Sequence, residues 1–315
     1  MEKTFKGKIL KGVGGLYSVR PISGEFADDC VIRCRARGSF RHERITPLPG
    51  DNVMLSSDAP LGGESEQGFV IDEIIERRNS LIRPPLANLD YLFVTMAAAS
   101  PTPILTTVDK LICIAEHNGI EPVIVITKQE LDPQYAEKLY DLYSSCNFTV
   151  FILSALENVG IAPIDEFIKT HLPTKTAAFA GASGIGKSTL LNRLFPSLDL
   201  STSEISRKIE RGRHTTREVN LFPLSSSPDC GYIADTPGFS MLDFKRFDFF
   251  EKDELVDTMR EFAPYIGSCR YTKCSHTKEE GCAVIGAVKD GIIPRSRHES
   301  YVELYDILKT RKKWD

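Results

Sequence analysis

Over the first 76 residues, apolar and polar positions alternate in short runs: GKILKG, LYSVRP, CVIRCRARG, NVMLSS and FVIDEI, separated by Gly, Pro and Asp turns. A period of two sends successive side chains to opposite faces of a strand, so these runs predict short strands, and no helical period interrupts them. Five strands in so short a length suit a small barrel, for which an OB-fold is the usual solution. From about Asn88 the pattern changes. The apolar run at 91–95 is followed at helical spacing by Val108, Leu111, Ile112 and Ala115. A second run at 122–126 precedes Tyr135, Leu139 and Leu142, and a third at 150–153 precedes Ile164, Phe167, Ile168 and Leu172. Continuous apolar strands alternating with helices predict a parallel sheet covered on both faces. Beyond about Phe244, helix-like segments flank a Cys/His cluster and lead to a basic tail, KTRKK. The predicted architecture is multidomain: a β-barrel over 1–76, an α/β domain over 77–244 and a mainly helical domain over 245–315.

Composition narrows the class. With 315 residues the chain is too long for one ordinary core and suits two or three domains. Its 42% hydrophobic and 26% charged residues exclude wholesale disorder and fibrous classes. A net charge of −4 means that nucleic-acid binding would have to come from local patches. MEKTFKGKIL lacks the features of a signal peptide, and no apolar run approaches the ~18 residues that span a bilayer, so a cytoplasmic protein without membrane attachment is expected. Five of the eight cysteines are scattered and three cluster with a histidine, which suits a reducing compartment and a metal site.

The candidate chemistry begins at GASGIGKST. Gly181, Ala182, Ser183, Gly184, Ile185, Gly186, Lys187, Ser188 and Thr189 fit the phosphate-binding loop, between an apolar strand and an apolar helix. The glycines let backbone N–H groups turn toward phosphates, Lys187 brings a positive charge to the β/γ oxygens, and Ser188 can ligate Mg²⁺. Asp235-Thr-Pro-Gly238 follows an apolar strand 54 residues after Gly181. Asp235 is placed to hold Mg²⁺, and Gly238 offers an N–H to the γ-phosphate. Between them, in RGRHTT, either Thr215 or Thr216 can complete the Mg²⁺ shell; spacing does not decide which.

A base-reading element of Asn-Lys-x-Asp type is expected downstream, yet its counterpart lies upstream: Thr127, Lys128, Gln129 and Glu130 end one apolar run, and Ser154 and Ala155 end the next. Every local spacing is that of a GTPase, but the order is rotated. A circular permutation does this without altering the packed sheet. Glu130 stands where Asp is usual, which leaves guanine selectivity open, and Leu156 stands where a Ser-Ala-Lys element has lysine. Phe239 occupies the place of the glutamine that orients the attacking water, so intrinsic hydrolysis should be slow and His214 is the candidate to supply that function.

Cys269, Cys274, His276 and Cys282 provide three thiolates and one imidazole, a complete set for one structural zinc. Arg33, Arg35 and Arg37 alternate with apolar residues on one predicted strand; with Arg41 and Phe40 alongside they make a candidate RNA-binding face.

Taken together, TKQEL, SAL, GASGIGKST, GRHTT, DTPGF and CRYTKCSHTKEEGC closely resemble the bacterial small-subunit-dependent GTPases, the RsgA (YjeQ or YloQ) family, over nearly the whole chain. The resemblance implies an N-terminal OB-fold, a circularly permuted P-loop GTPase domain and a C-terminal zinc-binding domain. It implies GTP hydrolysis to GDP and phosphate, with Mg²⁺, stimulated by the small (30S) ribosomal subunit during its late maturation. It also implies binding to that subunit's RNA and a catalytic role for His214. A monomer is expected. Two other readings remain: a P-loop kinase for small molecules, and a non-enzymatic RNA-binding protein that nucleotide merely locks.

Overall fold

The computed structural model describes residues 3–23, 30–42, 45–57, 68–196, 219–227, 229–235 and 251–310. In chain order its strands are β1 (Lys3–Val13), β2 (Leu16–Pro21), β3 (Ile32–Ala36), β4 (Asn52–Ser57), β5 (Phe69–Ile74), the short β6 (Ser80–Leu81) and β7 (Leu86–Ala87), β8 (Tyr91–Ala97), β9 (Glu121–Thr127), β10 (Thr149–Ile152), β11 (Thr176–Ala180), β12 (Asn220–Pro223) and β13 (Tyr232–Asp235). The helices are α1 (Ser39–His42), α2 (Leu105–His117), α3 (Pro133–Ser144), α4 (Ile161–His171), α5 (Lys187–Leu194), α6 (Ala283–Lys289) and α7 (Arg295–Thr310), with 3-10 turns at Leu255–Thr258 and Arg260–Tyr265. No helix among the described residues is long and apolar enough to cross a membrane.

The predicted N-terminal strands close into a barrel in the order β1-β2-β3-β5-β4. β1 pairs on both sides, with β2 and β4, and β3 pairs with β5 in parallel. A register shift between Ile9 and Lys11 bends β1 enough to serve two neighbours. The interior is apolar: Phe5, Ile9, Val19, Ile32, Cys34, Phe40, Val53, Leu55 and Ile71 form one buried cluster. On β3 the alternation holds, with Ile32 and Cys34 buried and Arg33 and Arg35 exposed. Phe40 corrects the sequence reading. After Gly38 the chain leaves the strand for the single turn of α1, which drops Phe40 into the core. It is 7% exposed and therefore cannot stack on a base.

The chain divides into two compact units: residues 1–91, 165–179 and 195–239, and residues 92–164, 180–194 and 240–315. In the first, β11, β13 and β12 lie in that order, β11 parallel to β13 and β12 antiparallel to it. β12 was not anticipated; NLFP is short and ends in proline, so it carries little strand signal. The barrel grips the β12–β13 hairpin through two buried cations. The Arg20 guanidinium donates to the carbonyls of Ser225 (3.0 Å) and Ser226 (2.5 Å) and to Cys230 Sγ (3.0 Å). Lys8 Nζ lies 5.4 Å from the Tyr232 ring centroid and 3.4 Å from the Gly50 carbonyl.

In the second unit the strand order is β10-β9-β8, with β10 parallel to β9. Helix α3 starts as its sequence dictates: Asp132 caps it by accepting from Tyr135 N at 2.9 Å, and Pro133 opens its first turn. Helix α2 buries Val108, Leu111, Ile112 and Ile114, and also Asp109. That carboxylate is answered from the C-terminal segment. Arg297 Nη1 donates to it at 2.6 Å, and Arg297 Nε donates to Glu261 at 2.7 Å. The Tyr143 hydroxyl donates to Asp109 from α3 at 3.0 Å. Burial pushes Asp109 up, and the Arg297 charge pulls it back. Arg297 is wholly buried, so it depends on these partners.

Candidate functional site

The phosphate loop is shaped by backbone demands that only glycine meets. Gly181 follows the fully buried β11 at φ +149°, and a Cβ there would lie 2.2 Å from the Thr95 carbonyl. Gly186 turns the chain into α5 at φ +89°. Ala182, Ser183, Gly184, Ser188 and Thr189 are exposed, while Ile185 is buried. Lys187 Nζ donates to the Gly181 carbonyl at 3.0 Å, so its ammonium lies over its own loop.

The segment from 127 to 130, written more than fifty residues earlier, lies directly against this loop. Thr127 ends β9 almost wholly buried; its hydroxyl lies 2.5 Å from the Ile185 carbonyl and 3.1 Å from that of Met96. Lys128, at φ +55°, donates from Nζ to the Gly184 carbonyl at 2.7 Å and to the Ser100 carbonyl. The Gln129 amide donates to the Leu153 carbonyl at 3.3 Å. Ser154 is buried, exchanges backbone bonds with Val159, and accepts from the Glu157 amide through Oγ. Ala155 is half-buried and Leu156 exposed. Glu130 Oε2 is buried and, among the described residues, has no hydrogen-bond partner. Such an atom is costly unless something else donates to it, and the N–H edge of a purine is such a donor.

Asp235 closes β13 in the other unit and is half-buried. His214, Thr215, Thr216, Gly238 and Phe239 lie outside the described residues. On the barrel, Arg33 and Arg35 face outward, whereas Arg37 pairs with Asp72 at 2.7 Å, an ion pair that sequence alone does not reveal. The side chain of Arg41 lies outside the described residues.

The four predicted metal ligands converge. Donor atoms of Cys269, Cys274, His276 and Cys282 all lie within 4.8 Å of one another. Cys269 and Cys282 Sγ are 3.8 Å apart, and His276 Nδ1 is 3.5 and 3.4 Å from them. A tetrahedron with zinc bond lengths has edges of about 3.8 Å between sulfurs and about 3.5 Å from sulfur to nitrogen, so the residues fit the ion. Burial lowers the His276 pKa and favours the neutral imidazole that a metal requires. The loop is braced by Glu279, which accepts from the amides of Ser275, Thr277 and Lys278 and from the Ser275 hydroxyl. Burial raises the Glu279 pKa, but those donors outweigh it and hold the carboxyl at about 2. Nothing in the spacing of the cysteines singled out this carboxylate.

Comparison with known proteins agrees with these features. A family model described as the RsgA GTPase matches residues 74–245, and one described as the RsgA N-terminal domain matches residues 6–63. Among relatives, the small ribosomal subunit biogenesis GTPase RsgA of Ruminiclostridium cellulolyticum is 39% identical over 303 residues, spanning 96% of this chain and 93% of that one. Its counterpart in Bacillus subtilis is 38% identical over 312 residues, 98% of each chain. Among solved structures, YjeQ from Thermotoga maritima matches with a TM-score of 0.78 at 28% identity, covering 98% of this chain and 100% of that one. YloQ, a circularly permuted GTPase, matches with a TM-score of 0.75 at 33% identity, covering 98% and 96%. With its closed barrel, its reversed nucleotide loops and its thiol–imidazole cluster, the chain belongs to the RsgA family of GTPases.

Proposed function

We propose that this protein hydrolyses GTP to GDP and phosphate as a factor in biogenesis of the small ribosomal subunit, binding that subunit through its RNA. Water attacks the γ-phosphorus, the bond from that phosphorus to the β,γ-bridging oxygen breaks, and GDP leaves. The single observation that carries the reading is the contact of Thr127 and Lys128 with the carbonyls of Ile185 and Gly184. It makes one cleft of two segments that the sequence writes in reverse order. In that cleft residues 181–189 hold the phosphates, Lys187 leaves the Gly181 carbonyl for the γ-phosphate, and Glu130 accepts from the guanine edge, with Ser154 and Ala155 beneath the base. Ser188, Asp235 and one of Thr215 and Thr216 would hold Mg²⁺, which neutralises charge on the phosphate oxygens. Gly238 donates its N–H to the γ-phosphate, and His214 positions the water. Cys269, Cys274, His276 and Cys282 hold one structural zinc. Arg33, Arg35, Arg37 and Arg41 face RNA, with Arg37 exchanging Asp72 for phosphate. The working division is a barrel over 1–76, a nucleotide domain over 77–244 and a zinc domain over 245–315, acting in the cytoplasm as a monomer.

Competition among GTP, ATP and XTP for the purified protein tests the base assignment. GTP is expected to displace a bound guanine nucleotide analogue far better than the others. Equal displacement by ATP would exclude guanine reading by Glu130. Hydrolysis measured with and without small subunits tests the partner; an unchanged rate would remove the ribosome-coupled part.

A further inference from the structure

Helix α2 begins without a cap of its own. Ile104 at its N-cap position makes no side-chain bond, and no acidic residue lies in its first turn, so its free N–H groups and positive dipole end lack a local answer. The answer comes from α7. Thr106 Oγ1 donates to Glu303 Oε2 at 2.7 Å, bringing a carboxylate to that first turn, and Arg297 reaches Asp109 beside it. The same helix holds the metal loop: His298 Nε2 donates to the His276 carbonyl at 2.7 Å, and the Tyr301 hydroxyl donates to the Ser275 carbonyl at 2.9 Å. Ahead of α2, the loop 98–104 carries Ser100, whose carbonyl accepts from Lys128 Nζ while that ammonium also holds Gly184.

We propose that α7 is a strut through which the zinc loop holds the base-reading loop, with Glu303 and Arg297 as positioning residues for nucleotide binding. This rests on the reading of residues 127–130 given above. One face of α7 is fixed by the carbonyls of the metal loop and another by α2. When the metal loop loses its ion, His298 and Tyr301 lose fixed acceptors, α2 loses its borrowed carboxylate, and Ser100 no longer holds one side of Lys128. Glu303 bonds Thr106, and Arg297 bonds Asp109 and Glu261, none of them a phosphate-loop residue, so the effect falls on affinity and leaves the chemical step alone.

The test is titration of the full-length protein with a fluorescent GDP analogue. The forms compared are zinc-loaded wild type, zinc-stripped wild type, the same protein after zinc is restored, Glu303→Ala and Glu303→Gln. Stripping is expected to weaken binding about tenfold and restoration to reverse it. Glu303→Ala should weaken binding about threefold, with KM raised and unstimulated kcat unchanged. Glu303→Gln should recover part of that loss, since an amide oxygen still accepts from Thr106. Because Glu303 is exposed, its variants test the strut even if stripping unfolds the C-terminal segment. Unchanged affinity in Glu303→Ala, or in stripped protein that keeps its helical circular dichroism, overturns the strut. Wild type that binds no guanine nucleotide at all overturns the assignment of residues 127–130 instead, and the strut with it.

Discussion

The barrel and the C-terminal segment are both small, yet they are held together by different physics. The barrel encloses a wholly apolar cluster of nine buried residues, from Phe5 to Ile71, inside a closed ring of strands. Among its described residues the C-terminal segment has two 3-10 turns and two helices, and it combines buried Phe262 and Leu304 with a fully buried arginine and a cluster of three thiols and one imidazole that could hold a metal ion. A closed barrel needs no partner to satisfy its ladder bonds. A segment built on charges and thiolates is stable only while every counterpart is present. The barrel should therefore respond to changes in volume, and the C-terminal segment to changes in charge and metal.

The sharpest division comes from chelation. Structural zinc contributes apparent binding free energies of about 10–16 kcal/mol, so removing the zinc proposed at Cys269, Cys274, His276 and Cys282 should unfold that loop. Amide exchange should rise across residues 269–282 and stay low in β1–β5; equal loss in both regions would break the contrast. Next in size is Arg297→Ala, which leaves Asp109 and Glu261 buried without their cation and should destabilise the second unit by roughly 3–5 kcal/mol in denaturant unfolding. Leu55→Ala probes the other side: a void at a fully buried site of the barrel should cost roughly 3 kcal/mol and leave zinc retention unchanged.

The barrel is also sensitive to charge at its buried Lys8. Burial is the main cause that lowers the Lys8 pKa from 10.5 to about 8, with Arg78 adding to it and Asp90 and Asp51 opposing it. A lysine with a depressed folded pKa binds fewer protons in the native state than in the unfolded one between those two values. Stability should thus rise as pH increases from 8 to 10.5, by roughly 2–3 kcal/mol, and Lys8→Met should flatten that rise in melts taken across the range. The smallest effect is expected at Arg37, a half-exposed guanidinium paired with the partly buried Asp72. Arg37→Ala should change stability by less than about 1 kcal/mol, so any larger loss of RNA affinity in a filter-binding assay would report a direct contact.

These two regions also differ in how far the sequence revealed them. The β3 alternation of Ile32 and Cys34 with Arg33 and Arg35 is a local property, and it was legible. Glycine geometry and metal chemistry restrict residue type at fixed spacing, which marked the Gly-rich loop and the Cys/His set, and the structure brings the four Cys and His side chains together. Phe40 was misassigned because it was grouped with neighbouring arginines by proximity in sequence, whereas the turn of α1 sends it into the core. β12 carried almost no periodic signal. The buried ion pair of Asp109 and Arg297 joins residues 188 apart, and no local pattern announces such a pair. Glu279 was passed over for a related reason, since its role is to accept from neighbouring amides and no motif records that.

Arg20 has a practical consequence for anyone who would cut the chain at the end of the barrel. It is 1% exposed, and its guanidinium satisfies backbone oxygens of the loop before β13. A barrel expressed alone would carry that bare cation at its newly opened surface. The remainder would present naked carbonyls and the uncovered ring of Tyr232, so each half should prove sticky and poorly soluble until the raw face is redesigned.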